Sequence, residues 1–390
     1  MGDSLIVEGA YRRMSSLYVR RHIVTATATF PRPIIEYQAQ SAEELFHRTV
    51  AAKQTLGERV MILGHNYQRD EVIQHADFRG DSLLLAKLAA ERSERPHIVF
   101  CGVHFMAETA DILSRSQQTV ILPDMAAGCS MADMAAIEQV DQCWEALGRV
   151  VPVEETVMPA VYVNSAAVLK AFCGEHGGIT CTSSNAKAVI EWSWARREKI
   201  LFFPDEHLGR NTANKMGIPR EQMIVWDPYQ PNGGNTKDAI TRAKLILWKG
   251  HCSVHQMFQP VHVEHFRKQY PDGKVIVHPE CHEDVVNKAD LIGSTEFIIR
   301  TVTAAPAGTI WAVGTELNLV NRLKHELTDK KVFFLSSTVC QCATMFRIDA
   351  AHLCWAMENL AEGHVVNRIV VPDDDKHWAK VALDRMMAIS

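Results

Sequence analysis

Ten cysteines stand in this 390-residue chain, and no two are spaced as Cys-x-x-Cys; the nearest pair is Cys340 and Cys342. A zinc ribbon or a thioredoxin-like redox pair is therefore disfavoured, and any thiolate-bound metal must gather ligands from distant segments. Three cysteines are singled out by what precedes them. An apolar run ends in polar residues at Val60 to Tyr67, at Ala160 to Ser165 and at Lys274 to Glu280. Each run is followed by a hydroxyl ahead of a helical stretch (Ser82, Ser183, Thr295), then by a second strand-and-turn, then by a strand running into cysteine. The last feature leads to Cys129, to Cys252 and to Cys340 and Cys342. His65 and Cys129 are separated by the same interval as His278 and Cys342, which selects Cys342 over Cys340. The middle interval is longer and carries the Gly/Pro/Asn-rich stretch Trp226 to Asn235, read as an inserted loop. Three thiolates leave a four-coordinate metal one ligand short. They suit an iron–sulfur cubane with one open iron, or a zinc ion with a water. The other cysteines read as small buried hydrophobes.

The elements that must position these groups follow from the same pattern. Short apolar strands alternating with helical segments imply parallel sheets, because parallel neighbours need crossover connections. Ligand-binding loops then gather beyond the carboxyl ends of the strands. The expected fold class is α/β: three similar three-layer domains with parallel sheets around a pseudo-threefold axis, the site at the centre. The expected divisions are an N-terminal extension 1–40 and repeats at 41–125, 126–250 and 251–372, with a C-terminal helix 373–390 packing on the first. Ser41 to Glu44 is a capping box, and Ser82 to Ala90 is rich in helix formers. Composition excludes several classes. Lys and Arg number 41 against 46 Asp and Glu, a net charge of −5, so there is no global basic field for nucleic acid. No apolar run approaches the ~18 residues of a membrane span, and no signal-peptide core opens the chain, so a cytoplasmic protein is expected.

The motifs together resemble the quinolinate synthase family over residues about 60 to 358. The resemblance rests on Gly64-His-Asn-Tyr-Gln68, Gly80-Asp-Ser82, Phe105-Met-Ala-Glu108, Tyr162-Val-Asn-Ser165, Thr182-Ser-Ser184, Gly250-His-Cys-Ser-Val-His255, His278-Pro-Glu280 and Gly293-Ser-Thr295. It implies a 4Fe–4S cluster held by Cys129, Cys252 and Cys342, with Cys340 as an accessory neighbour able to bridge to Cys342 on oxidation. It also implies a transferase that condenses iminoaspartate with dihydroxyacetone phosphate to quinolinate, phosphate and two waters, in NAD biosynthesis. An iminoaspartate-producing aspartate oxidase or dehydrogenase is the expected functional neighbour.

Substrates with two carboxylates, a phosphate and a carbonyl require donors. Ser82, Ser183, Ser294 and Thr295 sit at strand-to-helix turns, where hydroxyls and orphan N–H groups bind anions, or serve as plain N-caps. His65, Tyr162, Asn164 and His278 stand at first-strand ends as further hydrogen-bonding groups. Tyr67 and Glu280, each two residues past a histidine, are the acid/base candidates, and Glu280 also a substrate contact. His255, three residues past Cys252, reaches the same region if a helical turn follows the cysteine. Two other classes compete with this reading: a non-catalytic iron–sulfur sensor or electron carrier, and a structural zinc protein.

Overall fold

The computed structural model describes residues 30–389 other than 93, 339 and 340. Cys340 and its expected bridge to Cys342 therefore lie outside the described residues, as does most of the N-terminal extension. Residues from Arg32 onward form one body.

Three sheets organise this body, and the parallel strands of each come from one stretch of the chain. The first contains β1 (Val60–His65), β2 (Phe78–Gly80), β3 (His97–Cys101) and β4 (Thr119–Ile121). The second contains β5 (Val157–Tyr162), β6 (Ile179–Cys181), β7 (Lys199–Phe203), β8 (Met223–Trp226) and β9 (Leu245–Trp248). The third contains β10 (Lys274–Val277), β11 (Leu291–Ile292), β12 (Ile310–Gly314) and β13 (Lys331–Phe334). Their spatial orders are β2-β1-β3-β4, β6-β5-β7-β9 and β11-β10-β12-β13, one arrangement used three times, and every pairing among these strands is parallel. β1, β5 and β7 are buried along their whole length, as strands covered by helices on both faces must be. Leu63 and Phe202 are fully inaccessible, and burial of such a side chain contributes roughly 1.5–3 kcal/mol. In each sheet the chain steps to one side of its first strand and then to the other. That reversal opens a crevice beyond the carboxyl ends of the strands.

Three features differ from the sequence expectation. The insertion in the second repeat is a strand as well as a loop: β8 adds parallel to β9, and the turn Pro231–Gly234 folds back over it. Gly233 takes φ +64 there, and a Cβ would run into the Trp226 ring, so both its backbone and its size require glycine. The last part of the expected third repeat returns to the first sheet. β14 (Arg368–Ile369) pairs antiparallel with β4, and Leu353, Met357 and Ile369 join the core of β1 and β3. Finally, helix Asp373–Ala388 meets the first sheet's helix His104–Leu113 to a small extent, Lys376 lying 3.1 Å from Asp111. Its body packs on the second sheet instead. Ala379, Leu383 and Met386 share a core with Ala160, Ile179 and Cys181, and Arg385 donates to the Gly178 carbonyl at 2.6 Å. The physical reason is Gly174, whose missing Cβ lets the Trp378 backbone come against helix Ala167–Glu175. Among the described residues no helix is long and apolar enough to cross a membrane. Gly174→Val should cost roughly 1–3 kcal/mol by overpacking this contact, read as a lower urea midpoint; an unchanged midpoint would contradict the docking.

Candidate active site

The crevices of the three sheets open into one shared cavity, partly open to solvent. Every candidate named from the sequence lines it except Ser294. Ser294 instead caps helix Thr295–Ala304 by accepting from Phe297 N at 3.3 Å, and it faces a neighbouring cavity. Ser82 and Thr295 escape that role because the preceding residues, Asp81 and Ser294, do the capping. Their hydroxyls remain available to the cavity.

Cys129, Cys252 and Cys342 reach the cavity from three different segments, each at the start of a short helical turn. The local geometry is the same in each. The N–H four residues on closes the turn: Asp133 donates to the Cys129 carbonyl at 3.0 Å, Gln256 to Cys252 at 3.1 Å and Phe346 to Cys342 at 3.0 Å. The N–H three residues on, from Ala132, His255 and Met345, points at the sulfur. Thr344 Oγ1 adds a contact to the Cys342 sulfur at 3.4 Å. Burial nevertheless pushes the Cys129 thiol up to about 12, Cys252 well above the ordinary thiol range and Cys342 above it; Cys342 raises Cys129 further, and Glu280, Cys129 and Cys342 raise Cys252. No lysine or arginine among the described residues lines the cavity to offset them. Converging thiols with aligned N–H groups and no countercharge suit a thiolate-binding metal centre, which deprotonates its ligands outright. Cys252, His255 and Glu280 also bring one ligand atom each within 4.8 Å of one another.

The two strand-end histidines are wired alike. Tyr67 N donates to His65 Nδ1 at 3.2 Å, and Glu280 N donates to His278 Nδ1 at 3.4 Å. Burial holds both rings down at about 3, so both are neutral and their protons sit on Nε2 as donors. Asn164 Oδ1, on the third such loop, has no hydrogen-bond partner among the described residues.

A continuous chain of contacts joins the remaining candidates. Tyr162 donates to Glu280 Oε1 at 2.6 Å, and His255 Nδ1 lies 2.8 Å from Glu280 Oε2. His255 Nε2 is 3.2 Å from Thr315 Oγ1, which is 2.7 Å from the Tyr67 hydroxyl; Thr295 Oγ1 reaches the same hydroxyl at 2.9 Å. Burial opposes charge on Glu280, but the contacts from His255 and the Tyr162 phenol favour it, and the carboxyl is held below its usual range, hence ionised. The 2.8 Å contact with the carboxylate places a proton on His255 Nδ1, and the contacts from Nε2 through Thr315 to Tyr67 and Thr295 continue the chain. Burial raises the Tyr67 phenol well above its ordinary value, which keeps it protonated at rest.

Thr315 and the cavity-lining Glu316 are absent from the sequence-derived candidates. Burial pushes the Glu316 carboxyl up to about 7, against N–H groups from Asn318, Leu319 and Cys342. Both residues follow β12 directly, so the only signal for them was position: they end the third strand of a repeat whose first-strand ends had already been singled out.

A sequence profile of the family described as Quinolinate synthetase A protein matches residues 48–388. Proteins named quinolinate synthase align along most of the chain. The one from Rhodopirellula baltica is 55% identical over 368 residues, covering 92% of this chain and 94% of that protein. Those from Acidobacterium capsulatum and Anoxybacillus flavithermus are 58% and 55% identical over 344 and 352 residues, covering 88% and 90% of this chain and 92% and 95% of those proteins. With a repeated fold, a shared central cavity and this match along nearly its whole length, the chain belongs to the quinolinate synthetase A family.

Proposed function

We propose that this chain is a quinolinate synthase. It condenses iminoaspartate with dihydroxyacetone phosphate to quinolinate, with loss of phosphate and two waters, beside a 4Fe–4S cluster held by Cys129, Cys252 and Cys342. One observation carries the reading: three cysteines from separate segments line the same cavity as the contact chain from Glu280 to Tyr67. When bound, such a cluster supplies one iron free of protein sulfur, a Lewis acid toward hydroxyl and carboxylate oxygens. The protein supplies the rest. The Nε2–H groups of His65 and His278, the hydroxyls of Ser82 and Ser183 and the amide of Asn164 bind and orient the anionic oxygens of the substrates. Thr295 binds through its N-terminal helix position and steadies Tyr67.

Condensation and dehydration require protons to leave carbon and to reach departing hydroxyls. Tyr67 is poised for this. Its proton passes to Thr315 as the Thr315 proton passes to His255 Nε2, and Glu280 stabilises the resulting imidazolium. The phenolate oxygen formed in the same motion accepts the substrate proton, and reversal returns it to a leaving hydroxyl. Burial disfavours a free phenolate, so the transfer is concerted. An iminoaspartate-producing oxidase or dehydrogenase would supply the less stable substrate.

A second reading places a single zinc on Cys252, His255 and Glu280, favoured by their mutual proximity. It leaves Cys129 and Cys342 without a role and takes the carboxylate on which Tyr162 and His255 depend. Metal analysis separates the two. Anaerobically purified protein should be brown, with about four irons and four sulfides per chain, and lose them on substitution of any one of the three cysteines by serine. A colourless, active zinc protein would overturn the proposal. Glu280→Gln should lower turnover by about 10²–10⁴-fold with iron content unchanged; normal turnover would remove Glu280 from the mechanism. Thr315→Val should lower kcat about 10²-fold while Thr315→Ser keeps most of it; equal rates in both would remove the relay.

A further inference from the structure

The loop that carries Tyr67 and the loop that carries Glu280 are held in the same way, each by a helix belonging to a different sheet. Helix Leu317–Glu326 follows β12 of the third sheet and reaches the loop after β1 of the first. Its Arg322 donates to the Asn66 carbonyl at 2.9 Å and to the Gln68 carbonyl at 2.6 Å, the two that flank Tyr67. Helix Glu206–Lys215 follows β7 of the second sheet and reaches the loop after β10 of the third. Its Asn211 donates to the carbonyls of Pro279 and Cys281, both at 2.8 Å, the two that flank Glu280. Arg322 and Asn211 stand at the same distance past their helix caps, Glu316 and Asp205, and both are buried. The central carbonyls are also taken: Asn318 donates to Tyr67 O at 3.1 Å, and Gln256 to Glu280 O at 3.1 Å. The first sheet closes the ring. Glu108, on the helix after β3, accepts from Ala167 N at 3.0 Å just past the loop of Asn164.

We propose that Arg322 and Asn211 are equivalent positioning residues, by which the third repeat fixes Tyr67 of the first and the second repeat fixes Glu280 of the third. Three consecutive carbonyls held by side chains leave the loop little freedom, so the Tyr67 hydroxyl and the Glu280 carboxylate stay in register with Thr315 and His255. Displacement of about 1 Å at a reacting group can cost about 10²-fold in rate. The inference rests on the proposed function for its kinetic consequence, but the clamp itself is readable without turnover.

Arg322→Lys keeps the charge that also faces Asp70 at 2.9 Å and loses the fork; Asn318→Ala removes one bond to the loop, together with a 3.3 Å contact to its own helix cap Glu316, and is the gentler variant. In the iron-loaded protein, Arg322→Lys should lower kcat about 10–10²-fold and Asn318→Ala several-fold, with KM within about threefold and iron content unchanged. Amide hydrogen exchange should accelerate over 65–70 and not over 278–282 in both variants, and the reverse should hold for Asn211→Ala. In a Tyr67→Phe background, Arg322→Lys should lower the residual rate by no more than about twofold, because coupled residues are not additive. A full multiplicative loss in that background, or exchange that rises equally in both loops, would overturn the proposal. If the unsubstituted protein forms no quinolinate while exchange follows the expected pattern, the clamp stands and the functional reading falls.

Discussion

Three thiols facing one cavity, with no lysine or arginine among the described residues lining it, resist ionisation, and each sulfur that ionises makes its neighbours harder to ionise. Aligned N–H groups lower that cost without removing it, which is why burial still pushes Cys129 up to about 12. A cationic centre shared by all three is the physical solution, and the fold is arranged to make sharing feasible. Each cysteine begins a helical turn that closes on its own carbonyl, so its sulfur direction is fixed locally. The convergence is fixed globally, by sheets of one strand order whose carboxyl ends face the same cavity.

Repetition of the scaffold is accompanied by divergence of its side chains. The loop after the first strand carries Tyr67 in one repeat, Asn164 in another and Glu280 in the third. One backbone geometry thus offers a phenol, an amide and a carboxylate to the same space. The chain of contacts that joins the carboxylate to the phenol crosses between sheets, since Tyr162 meets Glu280 and Thr315 meets Tyr67. Neither reactive end would be placed if the sheets moved relative to one another, so interdomain contacts carry as much of the site as its own loops do.

What was legible in the sequence was whatever repeats. The spacing that selected Cys342, the hydroxyl ahead of each second helix and the polar strand ends each rest on local chain geometry, and local geometry is written in local residues. His255 followed from a single turn after Cys252, and helix Ser253–Gln256 provides it. Features without a repeat were harder to read. Ser294 and Thr295 are adjacent hydroxyls, and only the capping bond to Phe297 N shows which one faces the cavity. Thr315 acquires meaning from Tyr67, which is remote in sequence and adjacent in space. The C-terminal helix went to the second sheet because of Gly174, one glycine whose importance lies in the chain it lets approach.

The central claim is that three sulfurs from three repeats hold one iron–sulfur cluster with one iron left for substrate. Mössbauer spectroscopy of the iron-57-enriched, anaerobically purified protein tests it most directly. The account predicts a cubane signal in which one iron is distinct from the other three and shifts when a dicarboxylate substrate analogue binds. Four irons that are indistinguishable and unresponsive to the analogue, or no cluster at all in active protein, would contradict it.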